Sequence, residues 1–287
     1  MSNQITEAFV QQFGSTYLHV AQQMQSRLMG AVRQENGIVG TSKSVNRLGK
    51  RTMQRRTSRH ADTPINEQPH STRYVDLFDY DDGDMLDNLD KLKLLTDPTS
   101  DYMKAMVGGG NRQKDLEIIT AALGSSRSTT GSIVLPSSQK ILHGSAGLTK
   151  AKIIQAKKMF RAAEADEQNA EELYFVYGSE AMEDVLTDTT LTSSDHLAVQ
   201  MLQEGNINSK KWMGFNWIPS ELCPKSSTTR SLVAFAKSGL CLGVGQDIKT
   251  EVGKDPGKGF NVRVYVCLSI GAVRVEEEKV VEVQCTE

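Results

Sequence analysis

No stretch of this chain approaches the roughly 20 consecutive apolar residues that a membrane-spanning helix requires. The amino terminus, MSNQITEAFVQQFG, lacks the basic-then-apolar pattern of a secretory signal. The expectation is a protein made and kept in cytoplasm, with no membrane partner. Excess charge is missing too: the formal net charge is -2, which argues against a general nucleic-acid or membrane binder, whose domains are usually strongly basic. Aromatics are scarce at 6%, and hydrophobic residues, at 38% of 287 positions, suffice for a core but run slightly low, as for a protein with exposed arms. The four cysteines, Cys223, Cys241, Cys267 and Cys285, form no C-x-x-C pair and have no histidine at metal-ligand spacing. Reduced, mostly buried thiols are expected, with Cys241 and Cys267 packing as small hydrophobes in apolar strand-like runs.

Catalytic and ligand-binding patterns are equally thin. The pairs Gly49-Lys50, Gly253-Lys254 and Gly257-Lys258 are not followed by the Ser or Thr of a phosphate loop. The acidic run DYDDGDMLDNLD has its glycine misplaced for a calcium loop starting at Asp79, and the closing Glu is missing. Ser58, His60 and Asp62 would share one face of an extended strand, but a triad needs its base and orienter brought in from elsewhere in the fold. The reading is a non-enzyme with no cofactor and no metal.

What is present is a sequence of contrasting segments. From Thr6 to about Val32, Phe9, Val10, Phe13, Tyr17, Leu18, Val20, Met24 and Leu28 recur at helical spacing, predicting an amphipathic arm. Residues 43–70 are polar, almost without aliphatic core residues, and carry Arg47, Lys50, Arg51, Arg55, Arg56 and Arg59; a ribbon with nothing to bury in its own core needs an acidic counterpart. The next stretch, RYVDLFDYDDGDMLDNLDK, supplies Asp76, Asp79, Asp81, Asp82, Asp84, Asp87 and Asp90, with Val75, Leu77, Phe78 and Tyr80 as its strand-like apolar part. Asp97-Pro98 opens a helix that Gly124 can end, and Gly108-Gly109-Gly110 inside it predicts a bend or brief interruption.

A second helix is predicted over residues 149–166, with Ile153, Ile154, Met159 and Phe160 on its apolar side. LYFVYG reads as a buried strand, followed by short helices near residues 179–186 and 195–204 and by a strand WMGFNWIP. The last third, from SLVAFAKSGLCLGVG through FNVRVYVCLSIGAVRV to KVVEVQC, is β-rich. The alternation indicates an α+β fold, and no phosphate-loop glycines support a doubly wound nucleotide binder.

Taken in order, NQITEAFVQQF, RTSRHADTP, PHSTRYVDLFDYDDGDMLDNLDKLKLLTDPTSDYMKAM and AALG resemble the amino-terminal half of major capsid proteins of tailed bacteriophages. The rest of the chain matches that family in plan more than in motif. The resemblance implies the Hong Kong 97-type capsid fold: an N-terminal arm over residues 1–39, an extended loop over 40–73, a peripheral domain with a spine helix over 74–134, an axial domain over 135–259, and strands over 260–287 returning to the peripheral domain. It also implies assembly of the chain with itself through pentamers and hexamers into an icosahedral shell around double-stranded DNA. Non-specific contact with that DNA, a portal, and possible scaffolding or decoration proteins go with it; no long helical segment precedes the arm, which points to a separate scaffold or to none.

The sharp charge segregation yields a site hypothesis within this frame, in which Arg51, Arg55, Arg56 and Arg59 meet Asp79, Asp81, Asp82 and Asp84 of an adjacent subunit. Two independent solvated faces are the plainer alternative. A cellular shell compartment of the same fold, and a nucleic-acid-binding protein using the basic residues 43–59, stay open as rival functions.

Overall fold

The computed structural model of the chain describes residues 23–60, 62, 63, 65–86, 99–187 and 211–287. In chain order the elements are β1 (Arg33–Asn36), β2 (Ser42–Leu48), β3 (His70–Asp76), β4 (Phe78–Leu86), α1 (Thr99–Leu123), β5 (Ser126–Ser128), β6 (Gly131–Ile133), β7 (Lys140–Ile141), α2 (Lys150–Ala162), β8 (Leu173–Tyr177), α3 (Ser179–Thr187), β9 (Asn216–Pro219), β10 (Lys225–Ser226), β11 (Thr229–Ala236), β12 (Leu240–Asp255), β13 (Asn261–Arg274) and β14 (Val280–Thr286). They fall into two units. The larger comprises Ser26–Phe78, Gln113–Gln246 and Ser269–Glu287, and the smaller comprises Met1–Gln25, Asp79–Arg112 and Asp247–Leu268. The mixture of helix and sheet is the α+β class that the sequence indicates.

The centre of the larger unit is a sheet in the order β7-β14-β11-β8-β9, with β10 added beside β11. Its strands are the apolar, β-branched runs of the sequence, and β11 pairs antiparallel with β14 from Thr229↔Thr286 to Phe235↔Val280. Ile153, Ala156 and Phe160 of α2 are buried, and the Phe160 ring meets Phe215 edge-on at 5.9 Å. Phe215 in turn meets Phe175, which stacks on Trp217 at 4.5 Å, so an aromatic cluster fills this part of the core. Ile154 is exposed, against expectation: Lys152 takes an inward position and its Nζ donates to the carbonyls of Ala146, Gly147 and Gln284. The stretch Trp212–Phe215 is a tight turn in place of a strand, with positive φ at Met213 and Gly214, and only Asn216–Pro219 is extended.

A second sheet in the larger unit has the order β2-β3-β5-β6. Its β2 and β3 pair antiparallel over seven residues, from Ser42↔Asp76 to Leu48↔His70. Val45 and Val75 are buried together with Cys241, Val273 and Val275, which fixes this pair of strands to the core.

The helix α1, whose residues up to Arg112 belong to the smaller unit, runs unbroken through Gly108-Gly109-Gly110, so the expected interruption does not occur. Close packing accounts for two of the three glycines: a Cβ at Gly108 would lie 3.2 Å from Met24 Sδ and 3.4 Å from the Gln23 carbonyl, and one at Gly110 would lie 3.2 Å from Ile248 Cδ1. The predicted arm helix is also corrected over its described part. Residues 23–32 hold only the 3-10 turn Met29–Ala31, closed by the Ala31 amide donating to the Leu28 carbonyl at 2.9 Å, while Asn111 Nδ2 of α1 donates to the Met24 carbonyl at 3.0 Å. The cap Asp97-Pro98, the helix predicted over residues 195–204 and the arm before residue 23 lie outside the described residues.

Candidate assembly surfaces

The basic segment folds as an antiparallel ribbon whose base is clamped and whose far end, among the described residues, bonds only within the ribbon. At the base, Arg73 is almost completely buried, and its Nη2 donates to Glu277 Oε1 at 2.8 Å while Arg47 Nη1 reaches Glu277 Oε2 at 3.2 Å. Glu277 sits in the turn between β13 and β14, so one carboxylate holds both strands of the ribbon. Burial acts to raise the Glu277 carboxyl, but the hydrogen bond and charge of Arg73, with the charge of Arg47, outweigh it and hold the group below its ordinary value. Arg47 Nε adds a bond to Ser71 Oγ at 2.8 Å across the ribbon.

Beyond Gly49 the ribbon changes character, since every residue from Gly49 to His60 is exposed. Arg51 donates to the Asn66 carbonyl at 3.4 Å and Arg56 to the Ser58 carbonyl at 2.8 Å. Among the described residues, none of Arg51, Arg55, Arg56 and Arg59 forms an ion pair within the chain. The predicted acidic partners lie on β4 in the smaller unit, where Asp79, Asp81, Asp82 and Asp84 are all exposed on the terminal strand of a sheet ordered β1-β12-β13-β4. Asp84 Oδ1 accepts from the neighbouring Met85 amide at 2.8 Å, and no ion pair joins any of the four to a described residue. Among the described residues no ion pair joins any of the four arginines or the four aspartates to another side chain.

Several anchoring residues carry no signal in the sequence reading. Asp115, wholly buried, accepts from Ser26 Oγ at 2.6 Å and from the amides of Arg27 and Leu28 at 2.9 and 3.1 Å, fixing this piece of chain to α1. Arg274, also wholly buried, donates to the carbonyls of Ala122 and Gly124 at 2.9 and 2.6 Å and to that of Ile133 at 2.9 Å. It caps the free carbonyls at the end of α1 with a cation, where the helix dipole favours one. Burial lowers the pKa of this guanidinium, and no carboxylate forms an ion pair with it among the described residues.

Among the described residues no group of three His, Cys, Asp or Glu is placed to hold a metal ion, and no helix is long and apolar enough to cross a membrane. The cysteines are free thiols, three of them buried, and burial pushes Cys223 up to about 12 and Cys241 and Cys285 up to about 11.

The described residues hold a ribbon clamped at its base, a long helix, an acidic terminal strand and a mixed core, the parts of a Hong Kong 97-type capsid fold. Solved structures share that fold at low sequence identity. The capsid of the cyanophage P-SCSP1u is 16% identical with a TM-score of 0.72, covering 99% of this chain and 94% of that one. Mycobacterium phage Che8 is 15% identical with a TM-score of 0.72, covering 96% and 97%. The capsid of a native GTA particle is 11% identical with a TM-score of 0.72, covering 98% and 96%. Comparison with curated proteins finds no match. Residues 5–287 match the family described as phage capsid protein, and the chain belongs to that family. It is a phage major capsid protein, a subunit of the icosahedral shell that assembles with copies of itself.

Proposed function

We propose that the chain closes its shell through pentamers and hexamers around double-stranded DNA, with the ribbon of each subunit lying on a neighbour so that Arg51, Arg55, Arg56 and Arg59 meet Asp79, Asp81, Asp82 and Asp84. The observation that carries this reading is that all eight side chains are exposed and none is ion-paired within its own described chain. Heterologous contacts of this kind close into rings, and many weak pairs repeated around each ring add by avidity, although a single exposed pair contributes only about 0–1 kcal/mol.

In this reading residues 1–39 are the arm, 40–73 the extended loop, 74–134 the peripheral domain, 135–259 the axial domain and 260–287 the returning strands. The subunit is made in the host cytoplasm and works through contacts, without a catalytic step. Its further partners are a portal and a scaffolding or decoration protein, and it touches the packaged DNA without sequence preference. The test of the contact is the charge reversal Arg55→Glu/Arg56→Glu. Shell formation at physiological salt should be lost while the subunit stays folded, and it should return in part when Asp81→Arg/Asp82→Arg subunits are mixed in. Normal assembly of the reversed variant alone would overturn the contact.

A further inference from the structure

Asn36 is the only asparagine of the chain that is followed by glycine. It ends β1, opposite Val244 of β12, and both Asn36 and Gly37 are exposed. The next bond to the Val244 carbonyl comes from the Ile38 amide, at 3.2 Å, so the ladder passes over Gly37 as it would over the extra residue of a bulge. Gly37 has the left-handed φ of +68°, and nothing stands within 4 Å of where its Cβ would be. Its peptide nitrogen is therefore outside the ladder and has no side chain in front of it. The Asn36 side chain forms no hydrogen bond among the described residues, so no bond holds its amide away from that nitrogen.

We propose that Asn36-Gly37 is a site of self-modification, at which the chain converts its own side-chain amide to a carboxylate. The Gly37 nitrogen gives up its proton to water or hydroxide and bonds to Asn36 Cγ; the Cγ–Nδ2 bond breaks, and ammonia leaves with a proton. The cyclic imide so formed takes up one water. Opening at Cγ restores the main chain with an aspartate at this position, whereas opening at the backbone carbonyl leaves the main chain running through Cγ, as isoaspartate. Nothing is oxidised or reduced, and the net exchange is water for ammonia. Either product adds a negative charge beside the cluster in which Glu35 accepts from Arg33 at 2.6 Å and from Lys43 at 2.7 Å. Lys43 lies on β2, so the new charge falls at the root of the ribbon. Isoaspartate also adds one carbon to the main chain directly before Ile38, which is buried so close to β12 that a Cβ at Gly243 would lie 2.7 Å from Ile38 Cδ1.

The test ages the purified full chain in mildly alkaline buffer made with heavy-oxygen water, beside a synthetic peptide of residues 34–43, and maps both by mass after tryptic digestion in ordinary water. The fragment Gln34–Lys43 of the protein should lose its original mass and reappear as two separable acidic products, each carrying one labelled oxygen, as the free peptide does. Ser44–Arg47 and Gly259–Arg263, which hold Asn46 and Asn261, should keep their masses. Asn36→Gln, which would have to close a larger ring, should keep the fold and lose the reaction. A protein fragment that stays intact after the free peptide has converted overturns the proposal, because the strand end then holds amide and nitrogen apart. Equal conversion of Asn46 and Asn261 overturns it as well, since the reaction would owe nothing to this turn, and so does label entering the same fragment of Asn36→Gln at the parent rate.

Discussion

Arg274 and Glu277, three residues apart, show what burial does to charge in this protein. Removing the Arg274 side chain strands the carbonyls of Ala122, Gly124 and Ile133 in a dry site. Each stranded group costs about 1–3 kcal/mol, so Arg274→Met should destabilise the subunit by about 3 kcal/mol or more, read as a lower urea midpoint. Glu277 adds a pH dependence. Its folded pKa lies below the ordinary 4.5, so its contribution is complete above that value and is lost as pH falls through the lowered one. The stability gap between the parent and Glu277→Gln should therefore be constant near neutral pH and close below about pH 4, as acid titration of unfolding would record. Neither role is legible in the sequence. Charged residues are read there as surface by default, and they became buried because partners from distant segments arrive to pair with them: the Glu277 carboxylate for Arg73, and backbone groups for Asp115, Lys152 and Arg274.

The elements were most legible where one physical signal dominates. LYFVY, the apolar run of β8, and the alternating VRVYVCLSI within β13 emerge as strands, and Asn261–Arg274 extends the latter in both directions. The glycine triplet misled because propensity counts only the helix itself, whereas α1 uses Gly108 and Gly110 to let neighbours approach. Gly109 has open space around its missing Cβ. Gly109→Ala should therefore stabilise the subunit by about 0.5–1 kcal/mol, and Gly108→Ala, which crowds the Gln23 carbonyl, should gain less or lose, as denaturant melts of the two variants would compare. The turn at Met213-Gly214 was hidden because its flanking aromatics imitate a continuous strand.

At the scale of the molecule, the order of segments carried the capsid reading, from NQITEAFVQQF through RTSRHADTP to AALG, while composition alone left it open. Which surface meets which was not legible, since contacts between copies impose no spacing within one chain. If the ribbon contact is ionic, raising salt from physiological levels to 1 M, which shortens the Debye length from about 8 Å to about 3 Å, should slow shell formation followed by light scattering. The slowing should be smaller in Arg59→Gln, which removes one of the four ribbon charges without reversing it.

The place of β14 has a consequence for manufacture. This strand, from the far end of the sequence, lies between β7 and β11 and supplies partners to both. Until β14 is in place β7 is detached from β11, and closing the sheet joins residues more than a hundred positions apart, a slow step. A subunit whose β14 is deleted leaves the facing edges of β7 and β11 open, so it should be absent from purified shells, and the pairing thereby acts as a check on which copies a shell admits.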